Sequence, residues 1–261
     1  MENLAQVQRI VIKIGTSTLT HNTGHLNLRR IETLVKIVSD FKNAGRQVIL
    51  VSSGAVSAGI ARLGADHRPR TPEEKQAMAA VGQSDLMAMY ERFFSTYGHT
   101  VGQILMTRDV VDDPARLSAI RNTFESLLAL GCVPIVNEND SVSIEELKFG
   151  GNDTLSAYVA LICRADLLIN LSDVDGFYDR DPRKFSDARL IPIVDSVTDA
   201  LIAAAGGAGT ERGTGGMATK LKAARIVTEA GIPMYILNGA DPTVLYALMD
   251  GEPIGTFFRA H

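Results

Sequence analysis

Residues 7–14, Val-Gln-Arg-Ile-Val-Ile-Lys-Ile, form a short run rich in apolar and β-branched residues that ends at Gly15. Such a run followed by a turn predicts a buried β-strand. Similar runs alternate with helical patterns along the chain, and most are apolar rather than strictly alternating. We therefore predict an α/β fold with a mainly parallel sheet covered on both faces. The other predicted strands are residues 47–51, 101–106, 133–136, 167–171, 234–237 and 256–258.

Helical patterns separate these strands. Residues 28–44 carry apolar residues on one face and stop at Gly45, a residue that often ends helices. Another apolar helix ends near Cys163, and Asn152 or Asp153 is the predicted N-cap residue. Further helices are predicted at about residues 73–81, 84–97, 115–130, 218–230 and 243–249.

Composition narrows the functional classes. The chain has 261 residues, enough for one large α/β domain, and its formal net charge is -4. Basic and acidic residues are interspersed, so we expect no surface for nucleic acid or membranes. No apolar stretch approaches the roughly 18 residues that a membrane span requires. We therefore expect a cytoplasmic protein.

Neither the cysteines nor the histidines indicate a metal site or a disulfide. Cys132 and Cys163 lie beside or within apolar segments, and we expect both to be buried, reduced thiols. His21 and His25 have the i, i+4 spacing of some metal ligands, but the residues between them indicate a loop. We therefore expect no side chains dedicated to a metal.

Residues 206–220, Gly-Gly-Ala-Gly-Thr-Glu-Arg-Gly-Thr-Gly-Gly-Met-Ala-Thr-Lys, form a glycine-rich loop that leads into a predicted helix. Glycine lets backbone N–H groups approach an anion, and a helix N-terminus adds unpaired donors, so phosphate is the expected ligand. The loop is not a Walker A motif, because Thr219 precedes Lys220 and Leu221 follows it. It is not a dinucleotide fingerprint, because a helical segment rather than a strand precedes it. A flexible surface loop is the alternative.

Two further features lie where predicted strands end. Lys13 ends the first strand, where it either extends from the sheet edge into solvent or meets a phosphate. Residues 52–59, Ser-Ser-Gly-Ala-Val-Ser-Ala-Gly, follow the second strand. Their small side chains either let backbone amides and a hydroxyl face a ligand or let a helix pack close to the sheet.

Short polar side chains also follow the fourth strand, in Asn137-Glu138-Asn139-Asp140-Ser141. This cluster suits the ammonium group of a substrate, because Asp140 supplies a counter-charge and Asn137 an oriented dipole. Asn152 and Asp153 open the helix that follows. These two side chains either belong to the same polar site or only cap the helix.

Together these motifs resemble the amino-acid kinase family, in order and over essentially the whole chain. Within the family, the likeness is closest to members that phosphorylate the γ-carboxylate of L-glutamate. Gly151 departs from many relatives, which have an acidic residue there. The motifs are Ile12-Lys13-Ile14-Gly15, Ser52-Ser53-Gly54-Ala55, Val136-Asn137-Glu138-Asn139-Asp140, Gly151-Asn152-Asp153, Leu171-Ser172-Asp173 and Gly213-Thr214-Gly215-Gly216-Met217-Ala218-Thr219-Lys220.

The resemblance implies an αβα three-layer sandwich around an open, mainly parallel sheet. It implies one domain over residues 1–261, with the acceptor bound by the N-terminal half and ATP by the C-terminal half. The reaction would use ATP and Mg²⁺ to convert L-glutamate into L-glutamyl 5-phosphate, the first step of proline biosynthesis. A homo-oligomer, either a dimer or a tetramer, and coupling to glutamyl-phosphate reductase are also implied. Many relatives carry a C-terminal domain resembling PUA modules, which we do not expect in this chain.

The resemblance also assigns roles to single residues. Lys13 and Lys220 would neutralise the transferring phosphoryl group, and Asp153 would hold both lysines. Backbone N–H groups of Gly15 and Gly54 would contact the phosphoryl oxygens. Glutamate would be bound by Ser53, Asn137, Asp140 and Asn152, and ATP by Lys13, Ser172, Asp173, Thr214, Gly215, Gly216, Met217, Ala218, Thr219 and Lys220.

Two alternatives are weighed against this assignment. The first is another kinase of the family, acting on N-acetylglutamate, aspartate, carbamate or UMP. Asp140 disfavours it, because its carboxylate would pair with a free α-ammonium group but not with an acetylated amine or a nucleotide. A non-catalytic amino-acid sensor would not need Lys13, Asp153 and Lys220 together. Since a glutamate carboxylate has a pKa of about 4.3, it is ionised at neutral pH and its phosphorylation needs no general base.

Overall fold

A computed structural model describes residues 4–21, 23–144, 148–205 and 216–261. Every strand predicted from the sequence is present, and a two-residue strand adds to them. The strands are β1 (Arg9–Ile14), β2 (Gln47–Ser52), β3 (Val101–Met106), β4 (Val133–Glu138), β5 (Leu167–Ser172), β6 (Ile193–Val194), β7 (Met234–Asn238) and β8 (Thr256–Phe258).

These strands form one eight-stranded sheet in the order β3-β4-β2-β1-β5-β7-β8-β6. The first six strands of that order run parallel, and β8 joins β7 in the antiparallel direction. The prediction of a mainly parallel sheet is therefore confirmed. In the centre, Lys13 of β1 stands opposite Val51 of β2 and Asn170 of β5. Because parallel strands end at the same edge, the polar residues that follow β1, β2, β4 and β5 are gathered there.

Helices flank the sheet on both sides. The prediction of a helix at residues 28–44 is confirmed, and Asn27 caps it by accepting from the N–H of Arg30. No helix within the described residues is long and apolar enough to cross a bilayer. The helices are α1 (Thr16–Leu19), α2 (Leu28–Asn43), α3 (Ala55–Leu63), α4 (Pro72–Thr96), α5 (Asp109–Asp112), α6 (Pro114–Ala129), α7 (Asn152–Cys163), α8 (Asp199–Ala204), α9 (Met217–Thr228) and α10 (Val244–Met249).

The sheet has a separate hydrophobic core on each face. Val11 belongs to the core that includes residues of α6, α7 and α9. Its neighbours Ile10 and Ile12 belong to the core that includes residues of α2, α4 and α10. Because side chains alternate along a strand, a strand buried on both faces must be apolar on both. Cys132 and Cys163 are free thiols. Cys163 is fully buried, but Cys132, just before β4, is only partly buried, so the prediction of burial is wrong for Cys132.

Helix α4 corrects the sequence prediction, which divided this segment into helices at about 73–81 and 84–97. The helix is continuous, and Gly82 lies inside it rather than at a break. A Cβ atom at Gly82 would stand 1.8 Å from the carbonyl oxygen of Ala55, so glycine is what lets α3 and α4 pack this closely. The close contact fixes α4 beside the turn that joins β2 to α3.

Candidate active site

Three buried charged side chains meet at the carboxyl ends of the central strands. Lys13 comes from β1, Asp153 from the first turn of α7 and Lys220 from the first turn of α9. The Asp153 carboxylate accepts from Nζ of Lys13 at 2.7 Å and from Nζ of Lys220 at 3.1 Å. The three side chains are only 7%, 2% and 6% exposed, so the alternative that Lys13 extends into solvent is wrong.

Each carboxylate oxygen of Asp153 also has one neutral donor. Oδ1 accepts from Nδ2 of Asn170 at 2.8 Å, and Oδ2 accepts from Oγ1 of Thr219 at 3.0 Å. The Thr219 hydroxyl lies 2.7 Å from the carbonyl oxygen of Gly216 as well, and its one hydrogen serves one acceptor at a time. Two lysines and the Asn170 amide therefore fix the orientation of this carboxylate, and the Thr219 hydroxyl adds a donor when it is not bonded to Gly216.

Burial and charge act in opposite directions on these groups. Burial alone would raise the pKa of Asp153, but the charges of Lys13 and Lys220 hold it well below its ordinary value. Burial lowers the pKa of Lys13, and the charge of Asp153 opposes that decrease. The site thus presents two ammonium groups, and positive charge is what a phosphoryl group requires.

A second polar cluster is built around Asn152, the residue before Asp153. Its Nδ2 atom lies 2.9 Å from each of three acceptors, namely the carbonyl oxygen of Ser52, Oγ of Ser53 and Oδ1 of Asn137. Asn137 in turn donates to Oε1 of Gln83 in α4 at 2.9 Å. Asn152 thus joins Ser53 and Asn137, and these are three of the four residues predicted to bind the acceptor.

The start of α7 differs from the sequence prediction. The N-cap residue is Gly151, whose φ of 116° favours glycine, and no side chain caps the helix there. Asn152 and Asp153 are the first two helical residues, and their side chains serve the two clusters instead. The predicted N-cap assignment is therefore wrong, because these side chains contact other elements rather than the backbone N–H groups of their own helix.

Asp140, the fourth predicted acceptor residue, lies at a more exposed position. Its Oδ1 atom is 3.2 Å from Nζ of Lys75 in α4, and the two side chains are 19% and 40% exposed. The neighbouring residue Gln76 donates to the carbonyl oxygen of Ser143 at 3.3 Å. The loop after β4 is therefore held against α4 at two points.

A cavity of about 500 Å³ has Lys220 in its wall. Ser172 and Asp173 at the end of β5 line it, as do Gly216 and Met217 at the start of α9. With Lys220, five of the residues predicted to bind ATP share this cavity, and their contacts with ATP stay a prediction. Residues 176–185 form much of the remaining wall. Ala218 and Thr219 follow in α9, whereas Thr214, Gly215 and the rest of the glycine-rich loop lie outside the described residues.

The two glycines predicted to contact phosphoryl oxygens differ in their surroundings. The N–H of Gly15 donates to the carbonyl oxygen of Leu171 at 3.2 Å, and its predicted contact with a phosphoryl oxygen stays a prediction. Gly15 still borders the charged cluster, because a Cβ atom there would lie 3.7 Å from Nζ of Lys13. Gly54 has a φ of 96° at the start of α3, and its phosphoryl contact stays a prediction.

Comparison with known proteins assigns the family. The model of the amino acid kinase family matches residues 8–238, a range that contains both polar clusters. The chain belongs to the amino acid kinase family. The resemblance drawn from the sequence motifs is thereby confirmed.

Individual relatives of this amino acid kinase resemble it in sequence, and a solved structure resembles it in fold. The chain is 52% identical over 259 residues to the glutamate 5-kinase of Clostridium tetani, covering 99% of this chain and 97% of the relative. It is 53% identical over 263 residues to the glutamate 5-kinase of Moorella thermoacetica, covering 99% of this chain and 70% of the relative. The solved UMP kinase from Bacillus anthracis aligns with a TM-score of 0.66 and 18% identity, covering 97% and 96% of the two chains. That likeness concerns the fold alone and confirms the predicted αβα architecture.

Sequence reasoning missed three polar residues of this family member's site. Asn170 interrupts the otherwise apolar strand Leu-Leu-Ile-Asn-Leu, and a polar residue in a doubly buried strand was the signal available to find it. Lys75 and Gln83 give no comparable signal, because Lys75 is one polar residue of the predicted helix at 73–81 and Gln83 falls between the two predicted helices. Only the continuous α4 brings these two side chains to the loop after β4 and to Asn137.

Proposed function

We propose that this protein transfers the γ-phosphoryl group of ATP to the γ-carboxylate of L-glutamate, which yields ADP and L-glutamyl 5-phosphate, the first step of proline biosynthesis. The observation that carries the proposal is the position of the charged cluster of Lys13, Asp153 and Lys220. It lies between the cavity and the polar cluster around Asn152. Lys220 contacts Asp153 and also lines the cavity, while Asp153 directly follows Asn152 of the acceptor cluster. The 52% identity to a glutamate 5-kinase supports glutamate as the acceptor.

The proposed reaction depends on charge stabilisation rather than on proton transfer. One oxygen of the ionised γ-carboxylate attacks the γ-phosphorus, and the bond from that phosphorus to the β–γ bridging oxygen breaks as ADP leaves. Negative charge on the transferring group is stabilised by Lys13 and Lys220. Asp153 keeps both ammonium groups at fixed positions, so little reorganisation is needed during the transfer.

The acceptor is held by the residues around Asn152. We assign Ser53, Asn137 and Asn152 to hydrogen bonds with glutamate, and Asp140 to its α-ammonium group. An ammonium group donates in three directions, and a carboxylate with neighbouring amide oxygens supplies matching acceptors. The C-terminal half of the chain then binds the nucleotide, through Ser172, Asp173 and residues 214–220.

Asp173 is a suitable partner for nucleotide-bound Mg²⁺. Magnesium is usually held by one or two carboxylates together with substrate phosphates. Asp173 lines the same cavity as Lys220, and its charge also acts on Lys13. When bound, the ion would supply further positive charge to the phosphates.

Three wider properties belong to the same proposal. We propose a homo-oligomer, either a dimer or a tetramer, located in the cytoplasm. An acyl phosphate hydrolyses readily in water, so we propose that a glutamyl-phosphate reductase consumes the product. The N-terminal half of the chain would serve the acceptor and the C-terminal half the nucleotide.

A panel of acceptors tests the proposed function. ADP release is measured with ATP and Mg²⁺ in the presence of L-glutamate, N-acetylglutamate, aspartate, carbamate or UMP. We expect release that depends on L-glutamate, with the other acceptors at least about 100-fold less effective, because an acceptor that leaves polar groups of the site unpaired is strongly disfavoured. Equal or greater release with another acceptor would reassign the substrate. No release with any acceptor, from a folded sample that binds ATP, would favour an amino-acid sensor.

A further inference from the structure

We infer that Lys75 binds the α-carboxylate of glutamate and thereby makes the site specific for an intact amino-acid head group. The inference rests on the proposed function, because it concerns the same acceptor. Asp140 and Lys75 would act as a pair, with Asp140 binding the α-ammonium group of glutamate and Lys75 its α-carboxylate.

The geometry of the pair matches the head group of an amino acid. Oδ1 of Asp140 and Nζ of Lys75 lie 3.2 Å apart, so opposite charges stand side by side. The ammonium and carboxylate groups of an amino acid are bonded to the same carbon and are likewise adjacent. When the charged end of the substrate faces the pair, the substrate ammonium lies against Asp140 and the substrate carboxylate against Lys75. Each charge then gains a hydrogen-bonded partner of opposite sign.

The exposure of the pair fits a ligand contact better than a structural ion pair. Lys75 and Asp140 are 40% and 19% exposed, whereas the side chains of Lys13, Asp153 and Lys220 are almost completely buried. An exposed ion pair adds little to folding stability. A ligand that excludes water from these two charges would strengthen their interactions with it.

Helix α4 places Lys75 with precision. Lys75 and Gln83 are eight residues apart on the helix, a rise of about 12 Å along its axis. Gln83 contacts Asn137 at the inner end of the acceptor site, and Lys75 contacts Asp140 at the outer end. The helix cannot move freely, because Cβ atoms at Gly59 and Gly82 would each stand 1.8 Å from a backbone oxygen of the neighbouring helix. One wall of the site thus runs from the inner cluster to the pair.

The surrounding charges explain why a cation is needed there. Asp140 and Glu138 lie close enough for Asp140 to add to the burial that raises the pKa of Glu138. A substrate carboxylate beside two acidic side chains would be repelled, since like charges at short range are unfavourable. Lys75 offsets that repulsion at the position where the α-carboxylate would lie.

Binding of two ligands to two variants tests the inference. Dissociation constants are measured by calorimetry for L-glutamate and for its α-amide, which keeps the ammonium and the γ-carboxylate but loses the α-charge. In the wild-type protein we expect the α-amide to bind about 30-fold more weakly, the loss of one charge-assisted hydrogen bond. In Lys75→Met we expect glutamate to bind about 30-fold more weakly than in wild type, and the two ligands to bind within about threefold of each other.

Gln76→Met is the matched control, because it removes a neighbouring contact of α4 with the same loop without changing charge. We expect it to keep the wild-type preference for glutamate over the α-amide. If Lys75→Met weakens both ligands equally, Lys75 only positions Asp140 and the inference is overturned. If Lys75→Met leaves glutamate binding unchanged, it is overturned as well. Failure of the proposed function is a separate result, in which the wild-type protein itself neither binds nor phosphorylates glutamate.

Discussion

Lys13 and Asn170 stand opposite each other on neighbouring strands and donate to the same oxygen of Asp153, at 2.7 and 2.8 Å. The ion pair and the neutral hydrogen bond therefore converge on Oδ1 of one buried carboxylate. Asn170 is fully buried, so its donor has no competing water. The strand register thus decides where the carboxylate lies, and the carboxylate decides where both lysines lie.

We predict that Asn170→Leu lowers kcat about 10-fold, the scale of one hydrogen bond to a charged group, while the KM values for ATP and glutamate change less than about twofold. Leucine has the same branched arrangement of heavy atoms but cannot donate to Asp153, so the carboxylate is less well fixed between its lysines. Steady-state kinetics of the purified variant provides the measurement.

Ser156→Ala is the control for Asn170→Leu. The Ser156 hydroxyl is buried and donates to the backbone carbonyl oxygen of Asp153 at 2.6 Å, not to its carboxylate. We expect the free energy of unfolding to fall by about 1 kcal/mol and kcat to stay unchanged. Equal losses of kcat in the two variants would mean that Asn170 acts on the fold rather than on the carboxylate.

Lys220→Met should reduce kcat by about a thousandfold, the cost of removing one donor to the charge that develops in the transition state. Glutamate should bind with a Kd within about twofold of wild type, because Lys220 lines the nucleotide cavity rather than the acceptor cluster. The matched control is Lys222→Met, an exposed lysine on the same helix, which should behave as wild type. Near-normal turnover in Lys220→Met would remove this residue from the mechanism.

Turnover should decrease at alkaline pH as Lys13 loses its proton. Burial lowers the pKa of Lys13, so the decrease should begin at a lower pH than an ordinary lysine would require. The sign follows from the charge, because raising the pH removes a positive charge that stabilises the transferring group. The pH dependence of kcat, with folding checked by circular dichroism at each pH, gives the measurement. In Lys13→Arg the residual activity should lack this decrease, and an unchanged alkaline limb would assign it to another group.

Gly82→Ala should destabilise the protein by about 1–3 kcal/mol, although alanine is the better helix former. The added Cβ would meet backbone atoms of α3, including the nitrogen of Gly59 at 2.4 Å, and backbone cannot move aside as a flexible side chain can. Chemical denaturation measures the effect. Ser84→Ala, an exposed change in the same helix, should stay within about 0.5 kcal/mol of wild type. A neutral Gly82→Ala would contradict the close packing of α3 and α4.

Much of the fold was predictable because the signals were local. In a chain that alternates strands and helices, a short apolar run such as residues 7–14 indicates a strand buried on both faces. The polar residues at strand ends were predictable as a group, since parallel strands end at a common edge. Lys13 and Asn137 are predictable for this reason, whereas the role of Asp153 beside the two lysines was implied only by the family resemblance.

The rest depended on contacts between distant segments. A glycine in the middle of a helix reads as a break, and only the backbone of α3 against Gly82 explains why the helix continues. Asn152 and Asp153 were predicted as capping residues because the sequence does not show which way a side chain points. In the sequence, Lys75 is one charge on a predicted helix, and its partner Asp140 lies 65 positions away along the chain.

The most direct test of the central claim is the chemical identity of the product. The protein is incubated with ATP, Mg²⁺, L-glutamate and hydroxylamine, which traps acyl phosphates as hydroxamates, and the isomer is identified by mass spectrometry against synthetic standards. We predict γ-glutamyl hydroxamate in amounts equal to the ADP released, and its loss in Lys220→Met. Release of ADP without the γ-hydroxamate, or formation of the α-isomer, would contradict phosphorylation of the γ-carboxylate.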